Sequence, residues 1–329
     1  MTTEARPPNA PSAASRVGAM AQRGRQLGTL AGLALLVVLL TVLSPHFLTV
    51  SNLMNVLEQT SINAVIAVGM TFVILSGGID LSVGSLVALS GVALAGALRA
   101  DLPLPVALLA GLATGALAGL VNGLLITRGK LPAFIATLGM MSVARGLTLF
   151  VTDGRPISGF DAGFRTLATG RVLGIPASVL LAGALYVVAH LVLTRTRFGL
   201  YVYAIGGNEE ATRLSGVGVR FHKTMVYVLA GLMSAVASVI LTARLNSAQP
   251  IAGMMYELDA IAATVIGGTS LLGGSGTIGG TLIGALIMGV LRNGLNLLGI
   301  SSFLQQVVIG LVIIAAVLVD SALKAPTKS

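Results

Sequence analysis

Long apolar runs separated by short polar connections dominate the pattern of hydrophobic and polar positions along the 329-residue chain. A membrane-spanning helix needs about 20 predominantly apolar residues, and about ten runs approach that length. The second and eighth runs are short and interrupted by glycine. The pattern predicts an all-α, polytopic integral membrane protein with about ten transmembrane helices. The runs are 27–43, 62–76, 82–98, 104–127, 134–152, 177–194, 224–244, 257–272, 278–298 and 303–320.

Two polar tails flank the predicted transmembrane domain of residues 27–320. Residues 1–26 are rich in Pro, Ala, Ser and Arg, which predicts a disordered cytoplasmic tail. The first apolar run is long enough to span, and no small-residue cleavage site follows it. We therefore interpret it as a retained helix and not as a signal peptide. Residues 321–329 form the second predicted cytoplasmic tail.

The composition requires a lipid bilayer as solvent. Only 9% of the residues are charged and 55% are hydrophobic, whereas soluble domains carry about 25% charged residues. The net charge of +9 could indicate nucleic acid, but the basic residues lie in loops between apolar runs, where they set membrane orientation. No nucleic-acid partner is predicted. The absence of cysteine and the scattering of the three histidines predict no disulfide, no metal site and no cofactor.

Basic residues set the predicted orientation, because cytoplasmic loops carry an excess of Lys and Arg. With a cytoplasmic N-terminus and ten alternating spans, thirteen of the 20 basic residues fall in cytoplasmic segments and four in outside loops. Arg145, Arg244 and Arg292 lie within or at the ends of spans. Both termini are therefore predicted to be cytoplasmic.

A polar, basic island covers residues 195–223, and the orientation makes it a cytoplasmic loop. A glycine pair should break the preceding structure, and Asn208 should then cap a new helix of about two turns. Two glutamates follow at its positive end, and Gly216 ends it. Because so short a helix is unstable alone in water, a partner surface would have to hold it. The same spacing also suits an ordinary surface turn.

Two glycine- and serine-rich interruptions, in residues 75–91 and 256–286, break the pattern of plain spans. The stretches 79–89 and 276–286 align weakly as an internal repeat. Interrupted helices in both halves of a repeat are common in transporters, and glycine that only allows close helix packing is the alternative. The candidate pathway or gate residues are Ser76, Gly77, Gly78, Asp80, Ser82, Gly267, Gly268 and Thr269.

Asp80 is an acidic residue in an apolar segment with no basic residue nearby in the sequence. A carboxylate at mid-membrane costs about 3 kcal/mol, so Asp80 should face water, a pore or a helix N-terminus. Two roles stay open: an N-cap for the third span, helped by Ser82, or a pathway residue. Glu257 and Asp259 open the eighth span, where pairing with the helix dipole explains them.

The sequence contains none of the catalytic motifs that an ATP-driven or hydrolytic enzyme would need. There is no GxxxxGK[ST] phosphate loop, no HExxH and no GxSxG. The chain is therefore predicted not to be an enzyme. If ATP drives its activity, a separate chain must hydrolyse the ATP.

Together these residues resemble the permease subunits of bacterial ABC importers for ribose and related simple sugars. The resemblance runs from about Ser44 to Asp320 and favours the ribose branch, while also fitting relatives for xylose, galactose and autoinducer-type solutes. The N-terminal tail departs from the family pattern. The motifs that carry the resemblance are SPHFLTVSNLMNVLEQTSINAVIAVGMTFVILSGGIDLSVGS, LPAFIATLGMM, YAIGGNEEATRLSGV, ARLNSAQP, YELDAIAATVIGGTSLLGGSGTIGGTLIGALIMG and NGLNLLGISSF.

The resemblance implies a multi-pass protein of the bacterial inner membrane that moves a simple sugar by alternating access. Two permease copies would pair above ATP-binding subunits, and a periplasmic sugar-binding protein would dock on the opposite face. Closure of the ATPase pair would pull on a coupling helix in each permease. That helix would be carried here by Gly207, Asn208, Glu209, Glu210, Ala211, Thr212, Arg213, Leu214, Ser215 and Gly216.

Two other classes of function stay open. An ion-coupled secondary transporter of small polar solutes would need a titratable pathway residue, for which Asp80 is the candidate. A scaffolding membrane protein would need neither the capped cytoplasmic helix nor the paired interruptions.

Overall fold

The computed structural model describes residues 13–324, and it describes side-chain exposure for residues 27–315, 317 and 318. Those parts of the predicted tails that cover residues 1–12 and 325–329 lie outside the described residues. The described chain forms thirteen helices and four two-residue strands. The helices are α1 (Ala13–Leu43), α2 (Val50–Leu75), α3 (Val83–Arg99), α4 (Leu104–Thr127), α5 (Ala133–Thr152), α6 (Ala162–Thr169), α7 (Ala177–Arg195), α8 (Arg197–Gly207), α9 (Glu209–Leu214), α10 (Val219–Leu245), α11 (Tyr256–Ile266), α12 (Ile278–Leu297) and α13 (Ser302–Lys324).

The strands make two small antiparallel ribbons. Strand β1 (Ile157–Ser158) pairs with β4 (Ser247–Ala248), and β2 (Arg171–Val172) pairs with β3 (Ile175–Pro176). Among the described residues, six helices are long and apolar enough to cross a membrane, namely α2, α4, α5, α7, α10 and α12. Shorter apolar helices occupy Leu27–Leu43, Val83–Arg99 and Ser302–Ala315. The predicted all-α membrane fold is confirmed at this level.

Helices α2 and α10 form the centre of the bundle. Every side chain of α2 from 64 to 75 is buried, as befits a helix surrounded by other helices. Helix α10 crosses α4 at a row of glycines spaced four residues apart. Gly115 packs directly on Gly231, and Gly119 packs on the backbone of Tyr227, so that neither glycine leaves room for a Cβ atom. Small residues at this spacing let membrane helices approach closely.

The boundaries of the second and eighth predicted runs were wrong. Helix α2 begins at Val50 and not at 62, because the polar residues Asn52, Asn55 and Glu58 lower the hydropathy of its first three turns. Helix α11 ends at Ile266 and not at 272, since Gly267 and the glycine-rich loop that follows do not favour a helix.

Three helical segments were not predicted. Helix α1 begins at Ala13, inside the tail 1–26 predicted to be disordered, where Ala, Arg, Met and Gln favour helix. Helix α6 lies in the connection between α5 and α7. Helix α8 occupies the first half of the polar island, because it has an apolar face: Phe198 packs on Phe72 of α2 with ring centroids 6.2 Å apart.

Candidate functional site

The helix predicted within the polar island is present as α9. The Asn208 side chain accepts a 2.9 Å hydrogen bond from the Ala211 amide, which confirms the N-cap. Glu209 and Glu210 occupy the first turn. Gly216 follows the helix with φ +82°, the left-handed conformation that favours glycine. One detail differs: the glycine pair does not break α8, which runs through Gly207 to its C-cap at Asn208.

One ion pair joins α9 to α10, a second lies within α9, and one apolar side chain of α9 is left exposed. Lys223 of α10 donates a 2.8 Å hydrogen bond to Glu209. The Arg213 guanidinium donates to the Glu210 carboxylate and lowers its pKa. Leu214 at the end of α9 is 74% exposed. A single exposed leucine is ordinary on a protein surface, so it supports a partner surface here only together with the short capped helix that carries it.

The two predicted interruptions meet each other at the end of α8. The Gly274 amide donates a 2.9 Å hydrogen bond to the Leu75 carbonyl oxygen. Gly206 packs directly on the same carbonyl, and a Cβ atom added to Gly273 would lie 3.0 Å from both Gly206 and the Gly77 amide. Tyr203 donates a 2.8 Å hydrogen bond to the Gly276 carbonyl. We call Gly77, Gly206, Gly273 and Gly274 the glycine junction. Only Asn208 and Gly207 separate this junction from α9.

Asp80 lies in the extended segment between α2 and α3 and is fully buried. Its Oδ1 atom accepts hydrogen bonds from the Ser82 amide at 2.8 Å and the Ser82 hydroxyl at 2.6 Å. The Asn122 amide of α4 donates to the same hydroxyl at 2.9 Å. Among the described residues, Asp80 Oδ2, Asn122 Oδ1 and the Tyr227 hydroxyl have no hydrogen-bond partner. Asp80 therefore belongs to a buried polar cluster.

The proposed N-cap role of Asp80 was wrong. The residue at the N-cap of α3 is Ser82, whose own side chain makes no capping bond. Asp80 lies two residues earlier and orders the turn that leads into the helix, because its short carboxylate reaches the amide two residues ahead.

The start of α3 and the start of α11 lie side by side. Gly84 packs directly on the Gly253 carbonyl and the Glu257 carboxylate. Arg145 of α5 donates hydrogen bonds to the carbonyl oxygens of Pro250 at 2.7 Å and Ala252 at 2.9 Å. The arginine thus satisfies non-helical backbone that precedes α11. Discontinuous helices whose N-termini converge are a common architecture for transport pathways.

Comparison with known proteins places this architecture in a family. The model of the family described as "Branched-chain amino acid transport system / permease component" matches residues 52–317. The chain belongs to this permease family. It is 52% identical over 297 residues to the ribose import permease protein of Escherichia coli K12, covering 89% of this chain and 92% of the relative. It is 54% identical over 298 residues to that of Bacillus subtilis 168, covering 90% and 92%.

Permeases named for other sugars are also similar. The D-allose transport system permease protein of E. coli K12 is 40% identical over 295 residues, covering 89% of this chain and 90% of the relative. Membership of the permease family confirms a multi-pass inner-membrane transport component that is not an enzyme. The ion-coupled transporter and the scaffold are not favoured.

Among the predicted pathway residues of this permease, some form turns and others lie in contacts between elements. Ser76, Gly77, Gly78 and Gly268 form the turns that follow α2 and α11, with φ +77° at Gly77 and φ +89° at Gly268. Gly267 instead packs directly on Gly280, where α11 meets α12. Close packing, the alternative reading, thus accounts for Gly267.

Thr269, another predicted pathway residue, is fully buried and lies against Gly276 in the loop between α11 and α12. Glu257 and Asp259 lie in the first turn of α11, as expected. Asp259 additionally pairs with Arg292 of α12 at 2.6 Å.

Sequence reasoning missed three polar contacts of the permease: Arg145 on the turn before α11, Asn122 beside Ser82, and Asn63 beside Asp259. The sequence does show that each of these residues is a charged or amide side chain inside a span, and such residues face a polar partner or water. The partners themselves are distant in sequence and follow only from the fold.

Proposed function

We propose that this chain is the membrane-spanning subunit of an ATP-driven, binding-protein-dependent importer that translocates ribose or a related simple sugar. Identity above 50% to ribose import permeases, over about nine-tenths of the chain, carries the substrate class. The capped helix α9, with Leu214 exposed, supports the coupling role. Its partners are ATP-binding subunits, a periplasmic sugar-binding protein and a second permease copy.

The proposed topology has ten spans and both termini in the cytoplasm. Helix α9 and the glycine junction then lie on the cytoplasmic side, and the ribbons β1–β4 and β2–β3 lie outside. The excess of basic residues in the segments assigned to the cytoplasm supports this orientation. The short helices α3 and α11 count as spans together with the non-helical segments before them.

The proposed mechanism transmits ATPase movement through the glycine junction. The ATPase surface holds Leu214 and the first turn of α9, so closure of the ATPase pair displaces α9. Because backbone touches backbone between Gly206, Leu75 and Gly274, displacement of the end of α8 moves both interruptions together. Packed elements of this kind respond as rigid bodies. The start of α3, with Asp80, and the loop after α11 would then change the accessibility of a pathway between the two copies.

The decisive experiment separates the permease alone from the complete importer. The chain is reconstituted in liposomes alone and then with its ATPase and sugar-binding protein, and uptake of radiolabelled ribose, allose and arabinose is measured. We expect ATP-dependent uptake by the complete importer and no uptake or ATP hydrolysis by the chain alone. Uptake by the lone chain driven by a proton or sodium gradient would refute the proposal.

A further inference from the structure

A row of amide side chains follows one face of α2 from its start to its middle. Asn55, Gln59 and Asn63 are spaced four residues apart, so they share a face of the helix. Asn55 and Gln59 are exposed and Asn63 is half-buried. The row ends there, because Ile66 and Ala67 on the next turn are fully buried.

The inner end of the row lies too deep to belong to the membrane surface. Asn63 lies twelve residues before Leu75 at the other end of α2, a distance of about 18 Å along the helix. The hydrocarbon core is about 30 Å thick, which places Asn63 near its middle. Polar side chains at this depth face a protein interior or a water-filled cavity and not lipid. By the same measure Gln59 and Asn55 lie about 24 and 30 Å from Leu75, so the row runs from the outer boundary of the hydrocarbon core to its middle. Its inner end therefore faces water or another protein surface.

The inner end of the row is a polar cluster shared by three helices. Asn63 donates a 3.2 Å hydrogen bond to Asp259 of α11. Arg292 of α12 donates to both Asp259 oxygens, at 2.7 and 2.6 Å, and its side chain is 31% exposed. Among the described residues, Asn63 Oδ1 and Arg292 Nε have no hydrogen-bond partner. The cluster has no net charge. Because these two atoms are buried, the part of the cluster that a solute can meet is the exposed portion of the Arg292 side chain.

We propose that Asn55, Gln59, Asn63 and Arg292 line a vestibule in which a neutral, polyhydroxylated solute binds transiently on its way through the permease. Each sugar hydroxyl both donates and accepts, which matches amide groups that do the same and the guanidinium beside them. A neutral site whose contacts are hydrogen bonds to exposed side chains holds its ligand weakly, as release toward the other side requires. The inference rests on the proposed function and adds to it the residues that contact the solute.

Cysteine labelling tests the water-filled vestibule without relying on transport. The chain has no cysteine, so Asn55→Cys, Gln59→Cys and Asn63→Cys each introduce a single thiol. Val143→Cys on α5 is the control, since Val143 is 55% exposed on an apolar span. The variants are assembled with the ATPase in nanodiscs, where both faces are accessible, and treated with a permanently charged thiol reagent. Entry of a charge into hydrocarbon costs about 3 kcal/mol, so the vestibule cysteines should react roughly 100-fold faster than the control.

Equal reaction rates at Gln59→Cys, Asn63→Cys and Val143→Cys would overturn the inference, because the row would then face lipid or be sealed by the second copy. A second measurement tests the solute contact. Gln59→Leu and Asn63→Leu should lower sugar uptake per ATP hydrolysed several-fold, while Ser142→Leu, an exposed position on α5, should not.

The two proposals fail in different measurements. If the proposed function is wrong, the wild-type importer shows no ATP-driven sugar uptake. If only the vestibule is wrong, the wild type transports while Gln59→Leu and Asn63→Leu keep the wild-type ratio of uptake to ATP hydrolysis.

Discussion

The Gly274 amide donates a 2.9 Å hydrogen bond to the carbonyl oxygen of Leu75, and this bond joins the loop after α11 to the end of α2. Gly206, at the end of α8, packs on the same carbonyl. Two interruptions that are distant in sequence therefore share one backbone contact. The end of α8, which leads to α9, packs against that contact. This arrangement makes the glycine junction a direct structural connection between α9 and the discontinuous helices.

Gly206→Ala should disturb this junction directly. The added Cβ atom would collide with the Leu75 carbonyl and the Gly274 amide, which are backbone atoms that cannot rotate away. Overpacking of this kind costs about 1–3 kcal/mol. We expect a lower melting temperature of the purified permease and weaker coupling between sugar and ATP hydrolysis. Gly207→Ala is the matched control, because a Cβ atom there has no neighbour within 4 Å. Equal behaviour of the two variants would contradict the tight packing.

Arg145→Met should destabilise the turn that precedes α11. The substitution leaves the Pro250 and Ala252 carbonyl oxygens without their shared donor, and an unsatisfied buried acceptor costs about 1–3 kcal/mol. Thermal unfolding followed by fluorescence-detected size exclusion should show a clear loss of stability. Arg155→Met, in the exposed connection after α5, should leave the melting temperature unchanged. A stable Arg145→Met variant would show that the two carbonyls find other donors.

Asp80→Asn and Asp80→Ala separate the shape of the side chain from its charge. Asparagine keeps an oxygen that can accept from the Ser82 amide, whereas alanine removes both hydrogen bonds made by Oδ1. If the turn into α3 needs only these bonds, Asn preserves transport and Ala abolishes it. Loss of transport in both variants, with normal assembly of the complex, would indicate that the carboxylate charge acts in the pathway. Normal uptake by both variants would show that Asp80 has neither role.

Much of this molecule could be predicted from local sequence patterns. Helix α9 was predicted because its cap, acidic first turn and terminal glycine are all local signals within residues 208–216. The first half of α2 was missed because Asn52, Asn55 and Glu58 lower its hydropathy, so that it resembles a polar connection. The contacts of Arg145 and Asp259 could not be predicted, since each depends on which helices the bundle brings together.

Impermeant thiol labelling in intact cells tests the proposed topology. Ser158 is exposed on β1, so Ser158→Cys should react with a reagent added from the periplasm. Ser215→Cys is the cytoplasmic probe and should not react with the same reagent in intact cells. Ser215 is exposed and follows α9 directly. Labelling of Ser215→Cys but not Ser158→Cys would reverse the orientation.

Leu214→Asp tests whether α9 is a coupling helix or an ordinary surface turn. Leu214 is 74% exposed in the isolated chain, so the substitution should leave folding, membrane insertion and the melting temperature unchanged. In a complex with the ATPase the same position would bury an unpaired carboxylate, and an uncompensated buried charge costs about 3–5 kcal/mol. That cost corresponds to a loss of binding of roughly 100-fold or more. The ATPase should therefore fail to co-purify, and sugar-stimulated ATP hydrolysis should be lost.

The matched control for this substitution is Leu173→Asp. Leu173 is 99% exposed in the turn between β2 and β3, and its φ of +53° suits aspartate better than leucine. It should retain the ATPase fully, because the proposed topology places it on the opposite face. Asn208→Ala adds a graded test, since loss of the cap weakens a six-residue helix by about 0.5–2 kcal/mol and should reduce ATPase retention less than Leu214→Asp does. If Leu214→Asp retains the ATPase like the control and transports sugar like the wild type, α9 is a surface turn and the coupling role is wrong.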